Sequence, residues 1–432
     1  MPEVDVDAVL RAGENLADET EVIVLSFEDL SLEQREMAVS AVLEHAGTSV
    51  YIRTVIGGRI GVSATSDPTR WHDCLNAAAA SAKLAEPVAG WPGLPEKAVL
   101  PAGPDPYDPN VVIDPELAAS LLNRMNEGAA AHPDARVVTA GVSLSRGSSV
   151  LANSHGVWYE RKMTGVSLGL DAIADASTGY EYDSSPFLSR VEPEKMGEKT
   201  AFWATASRNG VSVPTRKQDV VFSEHVVASL LLDLFTEAVN GRNVLTGKSV
   251  FAGKLGEAVA DASLSITDVP MDPAGNSYRR FDTEGVPTKP VEILKDGVLS
   301  SFLYDGKTAA QARTVSTGHA LRAGNGSTYI SPHCLRLTSS TGPSDITADP
   351  CIFVREVIGA HTANPLTGEF SVEVANAFVV ENGEFAQPVK KAMIAGNVFE
   401  ILQSISGLSA ETKTFDGAVV PKMRIPQMQI IG

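Results

Sequence analysis

Three features of this sequence have residue types and spacing that could carry chemistry. The first is Gly165-Val-Ser167-Leu-Gly169, the spacing of a nucleophile elbow. An elbow works only on a sharp strand-to-helix turn. Here the flanks, Val157-Trp-Tyr-Glu and Leu170-Asp-Ala-Ile-Ala, alternate as a continuing strand, so Ser167 is read as a strand residue and an independent serine hydrolase is disfavoured. The second is Gly241-Arg-Asn-Val-Leu-Thr-Gly247-Lys248-Ser249, which resembles a phosphate-cradling loop. That loop needs four residues between its first glycine and the Gly-Lys pair. This chain has five, after a helical rather than a strand pattern, so Gly241 is expected to end a helix. The third is a set of eight histidines without any His-Glu-x-x-His spacing, so one helical face cannot supply two ligands. His333 and Cys334 are adjacent, and neighbours on a strand point to opposite faces.

The elements that must position these residues are those of an ordinary globular chain. The 432 residues are 44% hydrophobic and 20% charged, enough for two or three domains. A formal charge of −18 without a basic stripe disfavours direct nucleic-acid binding, which depends on releasing counterions from phosphates. Three scattered cysteines and no Cys-x-x-Cys pair fit a reducing compartment. The leading Met1-Pro2-Glu3-Val4-Asp5 is unlike a secretory signal. The most apolar stretch, Val226 to Phe235, is broken by Asp233 and falls short of the roughly 20 residues a membrane span needs. A cytoplasmic location without membrane contact is expected.

Along the chain, Val6 to Leu16 is amphipathic and Glu21 to Phe27 is strand-like, whereas Leu32 to Glu44 fits strand and helix equally. Ser49 to Val55 and Arg59 to Thr65 flank Gly57-Gly58 as a hairpin would. Helices are expected over Trp71 to Ala85 and Pro115 to Ala130, separated by a segment with eight prolines from Pro87 to Pro115. Strands follow over Ala135 to Leu144, Ser149 to Asn153 and from Val157. The second half predicts one prominent helix, Ser223 to Val239, capped by Ser223. Strands around Lys289 to Leu294, Val298 to Tyr304, Ile352 to Gly359, Gly368 to Val380 and Ala392 to Ile394 surround it, with Asp296-Gly297 and Asn382-Gly383 as hairpin turns. The expectation is an α+β protein. A mixed α/β N-terminal domain, residues 1–200, precedes a larger β-rich C-terminal domain, residues 201–432.

An ordered set of segments resembles the TldD/PmbA family, once described as modulators of DNA gyrase and now understood as metallopeptidases. It includes Tyr51 to Gly61, Ser249-Val-Phe-Ala-Gly, Phe281-Asp282-Thr283-Glu284-Gly285-Val-Pro287, Gly297 to Tyr304-Asp305, Glu356-Val-Ile-Gly359, Asn364-Pro365-Leu-Thr367-Gly368, Glu381-Asn382-Gly383-Glu384 and Ile394-Ala395-Gly396-Asn397. Each is ordinary turn chemistry, but their order spans nearly the whole chain. The resemblance marks Asp282, Glu284, Gly285, Tyr304 and Gly359 as signature positions. The Asp282 to Pro287 stretch is expected to be a structured turn and not a catalytic dyad.

The resemblance also distinguishes two branches. The TldD branch carries His-Glu-x-x-x-His on the helix before Ser-Val-Phe, and a cysteine near the C-terminus. Here the equivalent window holds Leu232, Asp233 and Glu237, and Thr412 to Pro421 has no cysteine. This implies the PmbA (TldE) type, without zinc or catalytic residues of its own. Such a chain would partner a TldD-type zinc subunit that brings the metal to unfolded peptides. A homodimer of the isolated chain is also allowed, and a stand-alone peptide-binding protein is the alternative. Read without the family, Asp233 and Glu237 are the polar face of an amphipathic helix whose other face is Val226, Leu230, Leu234 and Val239.

Overall fold

A computed structural model describes residues 4–347 and 350–432, and the leading Met1-Pro2-Glu3 lies outside them. Two sheets dominate. The first joins β1 (Glu19–Arg35), β2 (Ala38–Ile56), β3 (Arg59–Thr65), β4 (Arg136–Asn153), β5 (Trp158–Ala174) and β6 (Ser177–Ser185) in the order β3-β2-β1-β4-β5-β6. Every pairing is antiparallel. The ambiguous Leu32 to Glu44 stretch proves to be the end of β1 and the start of β2, joined at Glu36-Met37, whose φ values of 47° and 66° are those of a tight hairpin. β4 also runs unbroken through Ser145 to Ser148, where two strands were expected.

Helices α1 (Val6–Gly13), α2 (Trp71–Leu84), α3 (Pro115–Ala129) and α4 (Pro193–Ala206) pack on this sheet. Leu121 and Met125 of α3 and Ala201 and Ala204 of α4 share a core with Leu144, Leu168 and Leu170. α3 and α4 cross with their backbones in contact. A Cβ on Gly128 would lie 1.9 Å from the Glu194 carbonyl oxygen, and one on Gly197 1.9 Å from that of Met125, so glycine is required at both. Helix α4 runs through residue 200, where the sequence suggested a division.

The second sheet is built from β7 (Arg216–Phe222), β8 (Leu264–Asp268), β9 (Val291–Lys295), β10 (Val298–Leu299), β13 (Leu335–Ser339), β14 (Cys351–Ile358), β15 (Glu369–Glu381), β16 (Glu384–Val389), β17 (Met393–Asn397), β18 (Gly407–Phe415) and β19 (Ala418–Ile431); β11 (Ala320–Arg322) and β12 (Thr328–Ile330) form a small ribbon apart. Its order is β10-β9-β8-β13-β19-β17-β15-β14-β7, and β19 also pairs with β7 and β18. The molecule is therefore α+β, its second half rich in strand.

The long helix of the second half is continuous but not uniform. Glu224–Val226 leads into a π-helical stretch, Val227–Leu232, and then Asp233–Val239. Its cap is Ser223, whose hydroxyl accepts from Val226 N and donates to the Arg355 carbonyl. Most of its faces are buried, leaving a polar stripe of His225, Ser229, Asp233 and Glu237. Gly241, expected to end this helix, instead opens a short helix, Gly241–Leu245, capped by Asn240. The left-handed turn falls at Gly247, φ 70°. No described helix is long and apolar enough to cross a membrane.

Candidate functional site

The polar stripe of the long helix forms one wall of a cleft of about 810 Å³, faced by Tyr180 and Tyr182 of β6, Glu356 of β14 and Asp416. All three residues of the ligand window lie there. Leu232 is 5% exposed and packs in the core, whereas Asp233 and Glu237 are exposed on the cleft wall. Partial burial, with Glu237 nearby, pushes the Asp233 carboxyl above its ordinary range. Glu237 Oε2 accepts from Asn243 Nδ2 at 2.7 Å. These are two carboxylates one turn apart with no imidazole between them.

His225, on the same stripe, was not singled out in the sequence, because its partners are remote. Lys413 Nζ lies 3.0 Å from His225 Nε2 and 2.7 Å from Glu181 Oε2. An ammonium can only donate, so Nε2 accepts and the ring is neutral. Burial lowers its pKa in the same sense. Arg355, also bound to Glu181, donates to the Tyr180 carbonyl at 2.9 Å and lies 4.9 Å over the Trp203 ring. Burial opposes the charge of Glu181, yet the Arg355 guanidinium and the Lys413 ammonium hold its carboxyl far below the ordinary range. His225 is thus committed to a buried ionic cluster and is not poised as a base.

The signature positions do not gather at this cleft. Asp282, Glu284 and Gly285 lie in a turn closed by Gly285 N donating to the Asp282 carbonyl at 3.1 Å, with Gly285 at φ 85°. Asp282 Oδ1 accepts from Glu284 N and Val286 N, and Oδ2 from Ala320 N. Burial, then the Glu284 charge, pushes its carboxyl up to about 7 against those three donors. Glu284 binds Arg53 of β2 and accepts from Gly306 N at 2.7 Å. Arg53 also binds Glu21 of β1, which takes Arg322 on its other oxygen. Burial works against the charge of Arg53, but Glu21 and Glu284 more than restore it, so its pKa stands above the ordinary value. This buried knot ties the first sheet to the second half. Elsewhere, the Tyr304 ring covers Gly241, where a Cβ would lie 2.4 Å from it, and Gly359 ends β14 at φ 95°.

Asp268, His319 and His333 offer three donor atoms within 4.8 Å of one another, all buried. No local spacing announces this cluster, since 65 residues separate its outer members. Its hydrogen bonds are largely spent. His319 Nε2 meets Asp268 Oδ2 at 3.0 Å, and His319 Nδ1 meets Thr317 Oγ1 at 2.9 Å. His333 Nε2 donates to the Gly318 carbonyl, while Asp268 Oδ1 accepts from His333 N and Cys334 N. Burial pushes the His333 pKa down to about 3, so the ring is neutral. Among the described residues only His333 Nδ1 of this set is left buried without a partner, and the rest is a satisfied polar core. Ser167 lies mid-strand in β5, between Ser143 and Ser184, so the elbow geometry is absent there.

Comparison with known proteins bears on the family and the fold. A family profile described as the PmbA/TldA metallopeptidase C-terminal domain matches residues 215–432, and the corresponding central-domain profile matches residues 108–208. An uncharacterized protein of Methanocaldococcus jannaschii is 28% identical over 400 residues, covering 93% of this chain and 94% of its own length. A metalloprotease PmbA homolog of Haemophilus influenzae is 26% identical over 438 residues, covering 99% and 94%. In fold, the chain is similar to the crystal structure of TldE from Thermococcus kodakarensis, with a TM-score of 0.90, 24% identity and 99% of both chains covered. With profiles matching both the central and C-terminal regions, this chain belongs to the PmbA/TldD family.

Proposed function

We propose that this chain is the PmbA (TldE)-type subunit of a cytoplasmic two-chain metallopeptidase, shaping the chamber for unfolded peptides while a TldD-type partner supplies the zinc. The observation that carries this is the ligand window. A hydrolytic zinc site needs three protein ligands, usually with nitrogen or sulfur among them, and an open position. Leu232 has no donor atom and is buried, and Asp233 and Glu237 contribute only oxygens, a set suited to hard cations. These residues do not fit zinc. Two domains would meet near residue 200, where helix α4 ends at Ala206, and the interface with the partner would be obligate, burying more than about 2,000 Å².

The test is to assay unfolded peptides with this chain alone, with a TldD-type partner alone, and with both, alongside elemental analysis of metal-replete protein. Cleavage only by the mixture, with close to no zinc in this chain, is the expected result. Chelation-resistant cleavage by this chain alone, or one tightly held zinc per chain, would overturn it. If peptides bind to this chain yet no partner confers cleavage, the stand-alone peptide-binding reading replaces it.

A further inference from the structure

Next to the cleft, sharing Pro332, Asp416 and Gly417 with it, a second cavity of about 450 Å³ opens against β5 and β6. Its walls carry the hydroxyls of Ser145, Ser167 and Ser184 and the guanidinium-bearing side chains of Arg161 and Arg279. Among the described residues neither arginine makes an ion pair. Arg161 Nη2 donates to the Ser277 carbonyl at 2.9 Å, while its Nε is buried without a partner. The Arg279 side chain makes no hydrogen bond in the described structure. The acids close by are already used, since Asp105 near Arg161 pairs with Arg280 at 2.9 Å and Asp282 near Arg279 accepts from the backbone N–H groups of Glu284, Val286 and Ala320. Arg190, the next cation, is spent on the Gly275 and Pro273 carbonyls and on the Tyr278 hydroxyl. Burial, then the Arg279 charge, brings the Arg161 pKa down to about 9.

Two half-buried guanidinium groups without an ion-pair partner cost stability, and folded chains rarely keep such an arrangement unless a ligand completes it. Guanidinium forks and hydroxyl donors together match a planar or tetrahedral oxyanion. We propose that this cavity binds an anionic oxygen group, the carboxylate of a peptide chain. The balance of charge favours carboxylate over phosphate. Asp416 on the shared wall, held by Ser184 Oγ at 2.7 Å and Tyr182 Oη at 3.4 Å, leaves a net charge of about one positive unit for the ligand to neutralise. The volume admits a terminal residue with its carboxylate, and the cleft is continuous with it for the chain that precedes. The choice of a peptide as carrier rests on the proposed function; the anion site itself does not.

The experiment titrates the full isolated chain by calorimetry with N-acetyl-Ala-Ala as the free acid, with its C-terminal amide, and with inorganic phosphate. Binding of the free acid at least about tenfold tighter than the amide is expected, as is a loss of about tenfold or more in Arg279→Met and in Arg161→Met, with partial retention in Arg279→Lys. Cooperative urea unfolding of each variant shows that it is folded. Equal binding of acid and amide, no binding of the acid, unchanged affinity in both methionine variants, or phosphate binding more tightly than the acid would each overturn the assignment. Because the readout needs no partner, acid binding without partner-dependent cleavage would remove the subunit role while leaving the cavity intact.

Discussion

Two groups of arginines lie between the first sheet and the second half, and they are opposites. Arg53 and Arg322 are buried with Glu21 and Glu284 in a closed knot, cation against anion. Arg161 and Arg279 face a cavity in which neither is ion-paired and the one carboxylate of the wall, Asp416, is held by Ser184 and Tyr182. The first group balances its charge within the chain and acts as an attachment, although Arg53 Nε and Arg322 Nε, like Arg161 Nε, are buried without a hydrogen-bond partner. The second is complete only with something added. Compensation of charge, more than burial, separates a structural site from a binding one.

The sharpest way to break this contrast is to orphan the knot. Arg53→Met should lower stability by about 3–5 kcal/mol in urea unfolding, because Glu21 and Glu284 would remain buried without their shared partner. With Glu284→Gln added, a double-mutant cycle should show strong non-additivity. If Arg53→Met instead costs less than Arg279→Met, the distinction fails.

A second effect is pH. The folded-state pKa of Asp282, about 7, lies above its ordinary value of 3.8, so folding favours its protonated form. That stability is full below about pH 4 and is lost as pH rises through about 7, on the order of 1 kcal/mol or more. Urea midpoints from pH 4 to 8 should therefore fall relative to those of Asp282→Asn, and parallel curves would count against it. Smaller still, and of opposite sign to the first, Arg279→Met should stabilise the ligand-free chain by about 1 kcal/mol, since it removes an uncompensated charge. Asp233→Asn and Glu237→Gln should be the mildest, within about 0.5 kcal/mol by the same measurement, as both are exposed.

The sequence was legible where one dipeptide decides the geometry. Gly57-Gly58, Asp296-Gly297 and Asn382-Gly383 all take the positive φ values that such pairs favour. Glu36-Met37 adopts the same turn without either signature, forced by the strands on both sides, so that stretch read ambiguously. Strand β19 was missed because Pro421 and Pro426 argue against a central strand. The fold absorbs Pro426 in a register shift between Ile425 and Met428, with Gln427 at φ 53°. Helix α4 was missed because Gly197, Ala201 and Ala204 fit a close crossing but give little amphipathic signal. At the site, the helix and its Ser223 cap were readable, whereas His225, Glu181, Arg355 and Lys413 come from four distant segments. No local pattern announces partners of that kind.

The place of β19 bears on how the chain is made. The first sheet grows by hairpins between neighbouring strands, so most of it can form while the polypeptide is still emerging from a ribosome. In the second sheet, β7 at residues 216–222 waits for β19 at residues 418–431, about 200 positions later, and β13 and β17 reach the same strand. Closing so distant a contact is slow. During synthesis the early half would stand folded beside an unfinished one, whose apolar strands stay exposed until residues 418–431 arrive and lock them together.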